Sequence, residues 1–249
     1  MVRKRLYLIC VVALLVMSVN AIAVNVVVPV TNGGFEQPAT GKIKGWDGVC
    51  ADPAWAGSKA DVPGWSSDFA AFDSGVEGMP KPPPHPLDVG DYYGVLLNNN
   101  SVWGGQADPS IWQVTDYTIG AGDKFTLKVD SADLFLAPGG WFGGIPDTVA
   151  QLQMSLFYVN DAGARVALAT QTVTLGATEK WKQYSLDADG AAGVGHKLGI
   201  ELYNITDLGG QPVVLPDWLG VDDVRIVPEP ATMVLLGLGS LALLKRRKS

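Results

Sequence analysis

From residue 95 to residue 227 the chain is a succession of short runs in which apolar residues alternate with polar ones or fill the run, each bounded by turn-forming residues. They predict eight strands, at 95–98, 110–116, 124–131, 150–160, 166–175, 180–186, 197–203 and 220–227. In the third, Phe125, Leu127 and Val129 alternate with Lys124, Thr126, Lys128 and Asp130, giving one apolar and one wet face. Gly120, Ala121, Gly122 and Asp123 mark one turn; Asn160, Asp161, Ala162 and Gly163 mark a hairpin. Helical periodicity is not sustained. The stretch 41–90 is different, rich in Gly, Pro and Trp, and Pro80 and Pro82 to Pro84 cannot donate to a ladder. It is expected to form large loops at one end of an all-β, antiparallel two-sheet sandwich.

The two ends follow other patterns. Arg3, Lys4 and Arg5 precede an apolar run from Leu6 to Met17, and Ala21 and Ala23 form an A-x-A site, so 1–23 reads as a signal peptide cleaved after Ala23. A retained anchor is the alternative. Cys10 leaves with the peptide. At the other end Pro228, Glu229 and Pro230 precede an apolar stretch from Ala231 to Leu244 and then Lys245, Arg246, Arg247 and Lys248. At ~1.5 Å per residue that stretch spans about 21 Å, a thin membrane span, and the four cations would stay cytoplasmic. Residues 24–227 are left as one domain, with 228–249 as a tail.

Removing the ends sharpens the charge. Of 18 basic and 25 acidic residues, 24–227 keeps 11 and 24, a net charge of −13. Such a domain repels phosphate backbones, which argues against nucleic acid as a partner, and attracts divalent cations, calcium foremost outside a cell. Cys50 alone remains, so no intramolecular disulfide is available.

The order Pro-Glu-Pro, short apolar helix, Arg-rich end, with Pro228, Glu229, Pro230, Arg246 and Arg247 as its marked residues, resembles the PEP-CTERM sorting signal of bacteria that make exopolysaccharide. The resemblance implies an exported protein, held in the membrane by its tail until an exosortase, a membrane protease, processes it at the cell surface. A plain single-span anchor is the alternative.

The middle carries Asn32, Gly33, Gly34, Phe35 and Glu36 at its start and Gly220, Val221, Asp222, Asp223, Val224, Arg225 and Ile226 at its end, with Trp181, Tyr184 and Leu186 between. These residues resemble the galactose-binding-like jelly rolls of carbohydrate-binding modules over about 30–227. The resemblance implies a structural calcium tying the first strand to the last, with Glu36, Asp222 and oxygens of Asn32 and Gly34 as ligands. Period two places Asp222 on the face of Val224 and Ile226, where a carboxylate needs a partner. The alternative is that Glu36 caps a turn and Asp222 accepts from backbone amides.

Sugar sites pair aromatic faces with amides and carboxylates. Trp46, Trp55, Trp65, Trp103 and Trp141 fall in Gly-rich segments, and Asn99 and Gln106 flank Trp103. The expected ligand-binding set is therefore Trp65, Trp103, Trp141, Asn99 and Gln106, although any one of these tryptophans can instead complete a core or pin a loop. Catalysis has little support: His85 and His196 stand alone, and Asp68 and Asp73 are two acids among many. The expectation is non-catalytic binding of extracellular polysaccharide, with a ligand-free matrix protein or a calcium-dependent enzyme on the same fold as alternatives.

Overall fold

The structure is a computed structural model, and it describes residues 28–37, 43–44, 62–68, 74–77, 92–98, 107–133, 149–175, 181–207 and 217–228. Val28–Val227 form one compact unit. The segment 1–23 expected to be a signal peptide, Cys50, Asp73, His85, Asn99, Trp103, Gln106, Trp141 and the tail residues Glu229, Pro230, Arg246 and Arg247 lie outside the described residues.

The strands are β1 (Ile43–Lys44), β2 (Ser66–Ser67), β3 (Ser74–Glu77), β4 (Tyr93–Asn98), β5 (Ser110–Thr118), β6 (Lys124–Asp133), β7 (Gln151–Val159), β8 (Arg165–Thr174), β9 (Lys182–Asp189), β10 (Lys197–Asn204) and β11 (Asp217–Pro228). A short 3-10 turn covers Gly190–Gly193. All eight predicted strands are present. The region 41–90, expected to be loops, also contributes β1, β2 and β3, each too short to show a period in sequence.

The strands lie in two sheets, ordered β1-β3-β4-β11-β6-β9 and β2-β5-β10-β7-β8. Antiparallel pairs nest one inside the next: β4 with β11, β5 with β10, β6 with β9 and β7 with β8. The chain from β4 to β11 is thus one long hairpin rolled over itself, which defines a jelly-roll sandwich. Its tip is the predicted hairpin turn, where Asn160 Oδ1 accepts the N–H groups of Ala162 and Ala164 at 3.0 and 2.9 Å.

Between the sheets lie Phe125, Leu127 and Val129 of β6, Leu152, Met154 and Leu156 of β7, Leu198, Ile200 and Leu202 of β10, and Leu219 and Val221 of β11. The wet face expected along β6 ends at Lys128, because Asp130 and Ala132 are each 1% exposed. A second cluster, Tyr93, Val95, Ala132 and Trp181, explains this, with Trp181 edge-on to Tyr93 at 5.5 Å.

The turn between β5 and β6 makes one measurable prediction. Asp123 Oδ2 accepts both the Tyr117 hydroxyl at 2.6 Å and the Gly120 N–H at 2.7 Å. Burial, reinforced by the bond to Asp123 and its charge, pushes the Tyr117 phenol up to about 12. The unfolded phenol loses its proton near pH 10, so the stability this group contributes is complete below that pH and is lost as pH rises toward about 12. Ultraviolet titration of tyrosinate should show a late step that Tyr117→Phe removes; its persistence in that variant would contradict the assignment.

Candidate functional site

The segment 28–37 lies along the last strand, with Val28 bridged to Ile226 and the Val224 N–H donating to Gly33 O at 2.9 Å. Gly33 is required here: a Cβ would sit 2.3 Å from the Val224 carbonyl oxygen, which is backbone and cannot swing away. Asn32 (φ 50°) and Phe35 (φ 51°) take left-handed conformations around this turn.

Of the expected calcium ligands, Asn32 makes several hydrogen bonds within the protein. Its side chain donates to Gln37 O and Pro63 O and accepts from the Gln37 N–H, while its backbone carbonyl accepts from the Phe35 N–H and from Trp65 Nε1. Glu36 Oε1 accepts the Tyr92 N–H at 3.3 Å and Asp222 Oδ1 the Asp223 N–H at 2.8 Å. Asp222 is 0% exposed. The alternation that placed it with Val224 and Ile226 breaks, because Val221 and Val224 both enter the core although three positions apart, and Asp223 between them has φ 46°. Asp223 is ion-paired with Arg225. Among the described residues no group of three or more His, Cys, Asp or Glu side chains gathers to hold a metal.

Trp65, expected to face a ligand, stacks on Phe35 with centroids 5.4 Å apart at 20° and gives its N–H to Asn32 O. It fastens the first segment to the sandwich. His196 stacks on Tyr158 at 5.2 Å, with Asp161 3.8 Å from its Nδ1.

The richest chemistry lies where sequence reasoning did not look, on the outer face of the five-stranded sheet. Cross-strand register aligns Trp112, Glu201, Ser155 and Thr170 in one row, and Ser110, Tyr203, Gln153 and Thr172 in the next. A third row holds Val114, Gly199, Phe157 and Ala167. Residues between these positions, such as Ile111, Ile200, Leu202 and Met154, fill the core, so the rows face outward.

Phe157 is 1% exposed despite its outward position. Its ring lies flat over Gly199, where a Cβ would come within 2.2 Å of Phe157 Cζ. Arg165 reaches across, its guanidinium 4.1 Å from the Trp112 ring centroid and 5.8 Å from that of Phe157, and Nη1 pairs with Glu201 Oε1. Glu201 is 8% exposed. Burial pushes its carboxyl up from the ordinary value, the Arg165 charge and a hydrogen bond from Tyr203 pull it back, and the charge of Asp68 adds to the rise. The Tyr203 phenol is raised by its own burial and by Glu201. Asp68 borders the face, its Oδ1 accepting the Ser110 N–H at 2.7 Å.

The face therefore offers aromatic surface, a carboxylate acceptor, a guanidinium donor and flanking hydroxyls and amides on rigid strands. A sequence signal was present in β10, where Glu201 is a lone charge inside an otherwise apolar run.

A family model for the PEP-CTERM protein-sorting motif matches residues 227–248. The chain carries a PEP-CTERM sorting motif. It is accordingly an exported, envelope-sorted protein. No curated protein matches the chain in sequence. Similar solved structures include the enzymatically active domain of bacteriophage CBA120 tailspike protein 4, 14% identical, covering 68% of this chain and 20% of that one, TM-score 0.44. TmCBM61 in complex with β-1,4-galactotriose is 14% identical, with coverage of 80% and 97% and a TM-score of 0.42. The CBM22-1 xylan-binding domain of Paenibacillus barcinonensis Xyn10C is 11% identical, with coverage of 68% and 88% and a TM-score of 0.41. The chain spans only 20% of the tailspike's length.

Proposed function

We propose that this exported protein binds glycan without catalysis, through the outer face of the β2-β5-β10-β7-β8 sheet, in the extracellular polysaccharide layer. The carrying observation is the joint presentation of Trp112, Tyr203, Glu201 and Arg165 on one outward sheet face. Aromatic faces take sugar C–H groups, while the carboxylate and guanidinium satisfy hydroxyls. Before reaching that layer the chain is held in the membrane by its tail, which an exosortase processes near Pro228.

The test is affinity electrophoresis of the purified protein through gels carrying the producing bacterium's exopolysaccharide and a panel of plant and microbial glycans. Retardation by at least one polymer supports binding. Uniform free migration leaves a structural matrix protein.

A calcium ion tying the start of the domain to β11 is part of the same proposal. Glu36 and Asp222 supply hard carboxylate oxygens, and oxygens of Asn32 and Gly34 complete the set; Asn32 Oδ1 accepts one hydrogen bond, from the Gln37 N–H, and an amide oxygen has a second lone pair. Chelation is then expected to lower the melting temperature of the protein but not that of Asp222→Asn. An unchanged transition in wild type would overturn the metal.

A further inference from the structure

Two cations, Arg165 and Lys197, stand at outward positions of β5, β7, β8 and β10 among the described residues, and both are committed within the protein. Arg165 is paired with Glu201 and covers Trp112, and Lys197 donates its ammonium to the Asp116 carbonyl. Three acids, Glu201, Asp116 and Asp68, lie on or beside the same face, two of them exposed. Resting on the glycan reading above, we infer that the site selects uncharged glycans and rejects polyuronates, with Glu201 as the residue that sets the preference.

The physical reason is that a uronate carboxylate gains only from a cation that is not already compensated. A sugar carboxylate seeking Arg165 must approach the ion-paired Glu201, and Asp68 is close enough for its charge to act on both Glu201 and Tyr203. Repulsion of the wrong ligand is a standard source of specificity. A neutral hydroxyl meets no such barrier: it can donate to Glu201 and accept from the guanidinium, which carries five N–H donors. The pair thus works as one dipolar hydrogen-bonding unit for neutral sugar. Removing the carboxylate would turn the same arginine into an uncompensated cation beside an aromatic ring, the arrangement that captures carboxylates.

The experiment is affinity electrophoresis of the full chain through galactan and glucomannan as neutral probes, and through alginate and polygalacturonate as polyuronates. Wild type should be retarded by a neutral polymer and at least about tenfold more weakly by either polyuronate. Glu201→Gln should gain retardation by polyuronate, and adding Arg165→Gln should remove that gain. Equal retardation of wild type by both classes overturns the selectivity while leaving glycan binding intact; so does a folded Glu201→Gln without the gain. Should Glu201→Gln not fold, raising the salt concentration with wild type decides: repulsion is screened, so polyuronate retardation must rise relative to neutral, and an unchanged ratio overturns the inference. Free migration of every protein in every gel removes the binding function itself, and this inference with it.

Discussion

Replacing Phe35 by Ala is expected to cost the fold about 3–5 kcal/mol, the range for emptying a large aromatic site in a packed core. Phe35 is 0% exposed, stacks on Trp65 and packs so tightly against Gly94 that a Cβ there would come within 2.9 Å of its ring. Its backbone holds a left-handed conformation that few non-glycine residues adopt, so the burial of the ring also offsets local strain. The loss should therefore propagate: without the ring, Trp65 loses its stacking partner and the hydrogen bond to Asn32 O loses its anchor. Urea denaturation should show the lowered midpoint, and tryptophan emission of the native state should shift to the red. A loss below about 1 kcal/mol would mean that the 28–37 segment contributes little to stability.

Removing Trp112 should have its largest effect on binding. Fully engaged aromatic anchors are worth about 2–4 kcal/mol, so Trp112→Ala is expected to weaken glycan affinity roughly 30- to 1000-fold. The expected cost to stability is smaller, because what the fold loses is a half-buried ring and a cation–π contact with Arg165 worth about 1 kcal/mol. Trp65→Ala makes the instructive contrast. Its indole N–H is spent on Asn32 O and one face on Phe35, so it should lower the melting temperature and leave gel retardation in place. Gel retardation beside thermal melts of both variants separates the two tryptophans, and the reverse pattern would move the site from the sheet face to the first segment.

The strands were legible because period two and turn chemistry are local properties. Phe125, Leu127 and Val129 declare their shared face within five residues, and Asn160 closes its own hairpin through bonds to Ala162 and Ala164. What escaped sequence reading depends on pairing at long range or on a broken rule. Arg165 and Glu201 are 36 positions apart and meet only because β8, β7 and β10 align in one register. Trp112 falls in a strand whose two faces are equally mixed, so alternation does not announce it as outward, and tryptophans in Gly-rich segments drew attention instead. Asp222 is buried, as a core-side carboxylate should be, but strict alternation does not run through it, because Asp223 leaves extended geometry and shifts the phase of the strand between Val221 and Val224. Gly33 shows the converse: its meaning lies in the oxygen of Val224, most of the chain away.

The position of β11 also decides how the domain bears tension. At 12 residues it is the longest strand among the described residues, it runs between β4 and β6, and Val28 bridges it near its end. Ladder bonds lie perpendicular to the strands they join. A pull on Val227 along the strand axis therefore loads the bonds to both neighbours together, in shear, instead of peeling them singly. If the proposed tether holds the chain through that end, tension passes along β11 and its two neighbours, and the sheet proposed to bind glycan is not part of the loaded ladder.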